Sequence, residues 1–335
     1  MSGRLGRPGR RARLAVLALA VTVLCGVVAA PALGGTVYVA NDLDDDVSVV
    51  DTDTNETVGN AIGVRRGPRV LAITPNGRRV FVANRASSNV SVIDTESAET
   101  IGGPIEVGRQ PRGIVASPNG KRVYVANRIS DDVTVINART RRTAGDPIEV
   151  GSRPHGIAIS PNGRRVYVAD NDDGAVSVIN TRRKRTVGQP IEVGGGPEGM
   201  ATTPDGASVY VANFFDGTVS VIDTATKETV ETIAVGFGPT GLAVTPDGAR
   251  VYVANESSGS VSVIDTATNA TVGAPIDVGA TPVSVAITSD GGRAYVSNRG
   301  SNSLSVIDTA TDATVGTPIP VGDGPRGIAF TDREP

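Results

Sequence analysis

The chain repeats itself seven times at a spacing of 43 residues, with one spacing of 42. Each unit carries a string resembling Val-Tyr-Val-Ala-Asn, and the strings end at Asn41, Asn84, Asn127, Asp170, Asn213, Asn255 and Asn298. A period of this length belongs to repeat architectures, where one unit cannot bury its apolar faces alone and must stack on neighbours. Within each unit the apolar segments are short, rich in Val, Ile and Tyr, and separated by Gly, Pro and Asp. That pattern reads as strands and turns, and no segment has a helical period. In the third unit it predicts strands A to D over 113–117, 122–127, 133–137 and 148–150, with a Pro118-Asn119-Gly120 turn between the first two. Pro presets φ in such a turn, and Asn and Gly accept the remaining geometry.

Strand B is almost continuously apolar, as a strand covered on both faces must be. Four-stranded sheets repeated around an axis make a β-propeller, so seven units predict an all-β, seven-bladed, antiparallel propeller. The chain ends predict how it closes. Residues 36–41 form a strand B without a strand A before it, and 327–331 form a lone strand A. Together they complete one blade, which leaves no unpaired sheet edge. The expected organisation is a leader at 1–32 and a single propeller at 33–335.

Three motifs recur in register: Val-Tyr-Val-Ala-Asn at 123–127 and 251–255, Ser-Val-Ile-Asp-Thr at 262–266, and Thr-Pro-Asp-Gly at 245–248. The pattern resembles the YVTN family of β-propeller repeat proteins over the whole of 33–335. The resemblance implies the fold. That family includes surface and envelope proteins as well as lactonase-like enzymes, so it implies little about activity. The chain has no Trp, which speaks against WD40 blades, sialidase-type propellers and tryptophan-docked quinoprotein propellers.

The leader carries Arg4, Arg7, Arg10, Arg11 and Arg13 before an apolar run from Leu14 to Ala30, then Ala30-Pro31-Ala32. This is the layout of a secretory signal peptide, with an uncleaved membrane anchor as the alternative. An extracytoplasmic protein is expected. Cys25, the only Cys, lies inside the apolar run, so residues 33–335 have no thiol chemistry. With one His, multi-histidine metal sites are excluded, and neither a metal nor a cofactor is expected.

Residues that obey a repeat are explained by packing, so function is sought in departures from it. Seven of the 11 aromatic residues fill one strand-B slot and Phe330 sits in strand A. Phe214, Phe215 and Phe237 remain, all in loops of one propeller face, where they predict an apolar contact patch. Charge departs too. Residues 64–186 carry 21 bases and 11 acids, whereas 187–335 carry 6 bases and 17 acids. Blades two to four therefore form a basic sector that would steer anionic partners.

The slot after the proline that opens strand A holds Arg326, Arg69, Arg112 and His155 in blades one to four, then Glu198, Thr240 and Val283. It is predicted to ring the mouth of the central channel, with Arg65, Arg66, Arg109 and Arg153 behind it. Arginine forks suit carboxylates and phosphates. Further arginines at 139, 141, 142, 182, 183 and 185, with Lys184, occupy C-to-D hairpins on the opposite face and suit an acidic polymer. Nucleic acid is not expected there, because no aromatic residue is interleaved for base stacking. Asp42, Asp44, Asp45 and Asp46 form an acidic loop whose spacing matches no calcium motif. Asn55, Asn255 and Asn269 stand in Asn-x-Ser/Thr sequons.

These features favour a monomeric, non-catalytic binding module whose mouth takes an anionic small molecule or an envelope protein, with an acidic polymer as a further partner of the opposite face. Contact with a membrane is expected only through an uncleaved leader. One alternative is a structural or adhesive envelope propeller. The other is a lactonase- or lyase-type enzyme in which His155 and Glu198 act as an acid/base pair.

Overall fold

Short Val-rich strands and Gly-centred turns give the chain only antiparallel sheets, and no helix occurs among residues 34–332, which the computed structural model describes. The leader, Cys25 and the signal-peptide reading lie outside the described residues. Seven sheets follow the chain in the order A-B-C-D from the centre outwards. In blade three these are Pro111–Ala116, Arg122–Asn127 and Asp132–Asn137, followed by an outer strand in two pieces, Arg142–Thr143 and Ile148–Glu149. Both pieces pair with strand C.

The outer strand departs from the single segment that the sequence predicts, and the cause is local. Gly145 adopts φ 97° and is followed by Asp146-Pro147, which lifts the chain off the ladder between the two pieces. Blade five is the unit with the 42-residue spacing and has no such Gly-x-Pro insert. Its outer strand runs unbroken from Glu228 to Ala234.

Ring closure is as the chain ends predict. Thr36–Asn41 pairs antiparallel with Pro325–Thr331 through Val37↔Phe330, Tyr38↔Ala329 and Val39↔Ile328. The innermost strands touch in cyclic order, and the last meets the first.

The core lies between blades. Tyr38 and Val47 of blade one pack with Leu71, Val80 and Ile93 of blade two, and six equivalent clusters repeat around the ring. Each buried Val, Leu or Ile stabilises by about 1.5–3 kcal/mol, so these clusters dominate the fold energetically. Polar latches then fix how neighbouring blades sit. The Tyr210, Tyr252 and Tyr295 hydroxyls donate to Asn269, Asp312 and Asn55 in the next blade's C-to-D hairpin, at 2.7, 2.6 and 2.8 Å. Asn55 and Asn269 thus serve as latch acceptors, and Asn255 is fully buried at the end of strand B.

Candidate functional site

The third residue of strand A brings neighbouring strands close around the axis. Gly113, Gly156, Gly199 and Gly241 lie against the carbonyls of His155, Glu198, Thr240 and Val283 of the next blade. A Cβ on Gly156 would meet the Glu198 oxygen at 1.9 Å. Lack of a side chain there lets the preceding residue of each strand converge on one cavity of about 170 Å³. That preceding residue is the slot singled out in the sequence, and Arg326, Arg69, Arg112, His155, Glu198, Thr240 and Val283 all line the cavity.

Its charges are unevenly matched. Arg326 donates through Nε to Asp42 Oδ2 at 2.8 Å, whereas Arg69 and Arg112 are in no ion pair among the described residues. Burial, with Arg112 and Arg326 beside it, pulls the Arg69 guanidinium well below the ordinary arginine value. Arg112 is lowered to about 10, chiefly by burial and despite the nearby Glu198. Its buried Nε has no hydrogen-bond partner among the described residues. Two crowded, poorly hydrated guanidinium groups without carboxylates of their own make a site that an anion would stabilise.

The remaining polar groups form a chain. His155 Nδ1 lies 3.0 Å from Glu198 Oε1, and Arg128 Nε donates to His155 Nε2 at 3.1 Å. With Nε2 accepting, the proton is on Nδ1 and the imidazole is neutral. Burial lowers the His155 pKa against the pull of Glu198. Burial alone would raise Glu198, but the His155 Nδ1–H beside it and the charges of Arg69 and Arg112 outweigh it and hold the carboxyl below its ordinary value. The sequence placed His155 and Glu198 side by side, and the structure joins them directly.

Residues following the strand-B terminus add a second tier that slot reasoning missed. Asp42 and Arg128 belong to it, as do Arg85, 3.9 Å from Asp42 Oδ1, and Glu256. Burial and the Glu198 charge raise the Glu256 carboxyl. The signal was available: at this position too the repeats disagree, with Asp42, Arg85, Arg128, Asn171, Phe214, Glu256 and Arg299 in successive blades.

Other sequence candidates lie outside the cavity. Arg65, Arg66, Arg109 and Arg153 are exposed on the loops leading into strand A, and Arg153 is 3.2 Å from Asp172. Phe214 and Phe215 meet edge to face at 5.6 Å. Phe215 and Phe237 are 74% and 78% exposed, with Phe214 and Phe237 beside Gly238 and Gly217 of each other's loops. The aromatic patch therefore exists, at the rim of blades five and six. The acidic loop is not a cage. Asp44 accepts from Asp323 N, Asp45 from Gly67 N, and Asp46 from Asn41, while Asp42 holds Arg326.

Comparison with known proteins agrees with this architecture. The sequence profile of the family described as Lactonase, 7-bladed beta-propeller matches residues 27–106, 142–235 and 224–334. No curated protein matches the chain. Among solved structures, a candidate 6-phosphogluconolactonase from Bacteroides fragilis is 21% identical with a TM-score of 0.75, over 89% of this chain and 98% of that one. Hydrazine synthase from Kuenenia stuttgartiensis is 24% identical with a TM-score of 0.70, over 78% and 89%. A protein of unknown function from Desulfotomaculum acetoxidans is 18% identical with a TM-score of 0.78, over 88% and 98%. At these identities the structural likeness concerns the fold.

Proposed function

The chain belongs to the seven-bladed β-propeller lactonase family, and on that premise we propose that its axial mouth binds a small anionic lactone and opens the ring with water. The observation that carries this reading is the His155–Glu198 pair, with Nδ1 and Oε1 3.0 Å apart, in the same cavity as two guanidinium groups that are in no ion pair among the described residues. Arg69 and Arg112 hold the phosphate or carboxylate of the substrate and the developing oxyanion. Water attacks the lactone carbonyl and gives its proton to Glu198. The carbon to ring-oxygen bond then breaks, and the alkoxide takes that proton back to yield an open-chain hydroxy acid. His155 positions Glu198 through Nδ1–H, and Arg128 fixes the tautomer.

A second reading is anion binding without turnover. Arg128 occupies the Nε2 of His155, leaving that imidazole no free nitrogen to act as a base. The likeness to a candidate 6-phosphogluconolactonase makes a phosphorylated sugar lactone the first substrate to try. Hydrolysis of phosphorylated, carboxylated and uncharged lactones by the wild type and by Glu198→Gln separates the readings. Turnover of a charged lactone that Glu198→Gln abolishes supports the enzyme. Binding of the open acid with no turnover of any lactone supports the second reading. Within either, the leader and the YVTN-like repeats favour action outside the cytoplasm, at or beyond the envelope.

A further inference from the structure

The face opposite the mouth carries the larger share of the basic sector. Each A-to-B turn of blades two to four ends in two cations: Arg78-Arg79, Lys121-Arg122 and Arg164-Arg165. The C-to-D hairpins of blades three and four add Arg139, Arg141, Arg142 and the run Arg182 to Arg185. Hydrogen bonds join these loops into one surface. Arg79 Nη1 donates to the Ala138 carbonyl of the next blade at 2.6 Å, Lys184 Nζ to the Ala144 carbonyl at 3.1 Å, and Thr181 Oγ1 to the Gly163 carbonyl at 2.8 Å. A groove between blades two and three runs past Arg78, Arg79 and Arg139. Among the described residues none of these cations is in an ion pair.

Folding accounts for Arg79 and Arg165, whose Nη1 bonds to a hairpin carbonyl of the next blade recur at Arg250 and Arg293 of blades six and seven, but it does not account for the remaining cations. In blades five and six the A-to-B turn uses Asp205 or Asp247, which accepts from a neighbouring Thr hydroxyl and from the backbone N–H two residues on. In blades two to four the same bonds are made by Asn76, Asn119 and Asn162, with a Thr or Ser hydroxyl as donor. The hairpins repeat the exchange. Asp223, Asp265 and Asp308 cap their turns by accepting two backbone N–H groups, and Asn137 and Asn180 cap theirs identically. Five positions thus keep their hydrogen bonds and lose their negative charge in the same blades that gain arginines.

We propose that this face of blades two to four docks a linear polyanion of repeating phosphate or carboxylate groups. Arginine predominates over lysine, which suits bidentate recognition of such groups. The breadth of the surface, three adjacent blades, exceeds what a single small anion would engage. Among the described residues the exposed large apolar side chains are Leu43, Phe215, Val230, Phe237, Val272 and Val315, none of them in blades two to four. The face therefore has no apolar anchor for a bilayer and no exposed aromatic ring for stacking on bases.

The test is binding of the purified full chain to long-chain inorganic polyphosphate and to poly-γ-glutamate over a salt series. Single-stranded DNA and phosphatidylglycerol vesicles are the comparison arms. The five-fold variant Asn76→Asp, Asn119→Asp, Asn137→Asp, Asn162→Asp and Asn180→Asp restores the acids while keeping every turn bond. At least one polymer should bind with steep salt dependence, and the variant should weaken it by at least about tenfold and flatten the salt slope. Arg139→Gln with Arg142→Gln and Arg182→Gln should act in the same direction. Arg66→Gln with Arg109→Gln, on the mouth face, should leave it within about twofold. The proposal is overturned if neither polymer binds, if the five-fold variant binds as well as the wild type, if the mouth-face variant loses as much, or if DNA or vesicles bind more tightly than both polymers.

Discussion

Asp170 is the one acid among the seven residues that end strand B, and replacing it with the consensus Asn should change how stability depends on pH. In five of the other six blades, Asn41, Asn127, Asn213, Asn255 and Asn298 donate through Nδ2 to a Ser or Thr hydroxyl on strand C at 2.8–2.9 Å. At Asp170 the bond is reversed, with Ser177 Oγ donating to Oδ2 at 2.6 Å. The side chain is fully buried. Burial is the largest influence, Asp173 adds repulsion, and the Ser177 and Gly151 hydrogen bonds do not offset them, so the carboxyl is raised to about 7. In the unfolded chain it titrates at about 3.9. Below that value both states are protonated and the group has no effect. Between the two values only the unfolded chain ionises, so stability falls as pH rises. Above 7 the loss is complete, at ~4 kcal/mol, because each tenfold difference in proton affinity between the two states is worth ~1.4 kcal/mol. Asp170→Asn should therefore gain on the wild type by ~4 kcal/mol between pH 4 and pH 8, read from urea unfolding curves at each pH. A difference that is constant over that range would refute the reasoning.

Three further expectations follow from the same structure. The pH profile of lactone turnover should have an acidic limb below the ordinary glutamate value, since Glu198 must be ionised and its carboxyl is held low. A limb near or above the histidine range would instead make His155 the base. Gly156→Ala should destabilise by about 1–3 kcal/mol or more in thermal unfolding, because its Cβ meets the Glu198 carbonyl, and it should also disturb the His155–Glu198 pair. Unchanged stability would mean that the strands are not held so close. Tyr295→Phe removes only the hydroxyl that reaches Asn55 across the ring closure. It should cost about 0.5–1.5 kcal/mol, a tolerable change in a slot where blade two already has Phe81.

The architecture was legible because the repeat states it seven times. A Val-rich strand B, its Tyr slot and the two incomplete ends leave little freedom in where the sheets lie or how the ring closes. The break in the outer strand was not legible, since Gly145-Asp146-Pro147 looks like an ordinary turn until its pairing on both sides is seen. At the mouth, aligning the repeats identified the slot from Arg326 to Val283 because strand A has one fixed direction in every blade. Arg128 and Glu256 escaped because they belong to another strand, and only folding brings the end of strand B above the start of strand A. The exposed arginines Arg65, Arg66, Arg109 and Arg153 show the converse. Adjacency in sequence to the slot placed them near the cavity, but loop direction turns them to solvent.

The anion site at the mouth underlies both functional readings, and calorimetric titration of a phosphorylated sugar acid into the wild type and into Arg69→Met with Arg112→Met tests it most directly. Each charge-assisted hydrogen bond lost removes about 1.5–3 kcal/mol. The wild type should bind one equivalent, and the double variant, which keeps its fold, should bind at least about 100-fold more weakly. Equal affinity in the two proteins, or no binding to the wild type, would contradict the assignment of the axial mouth as the functional site.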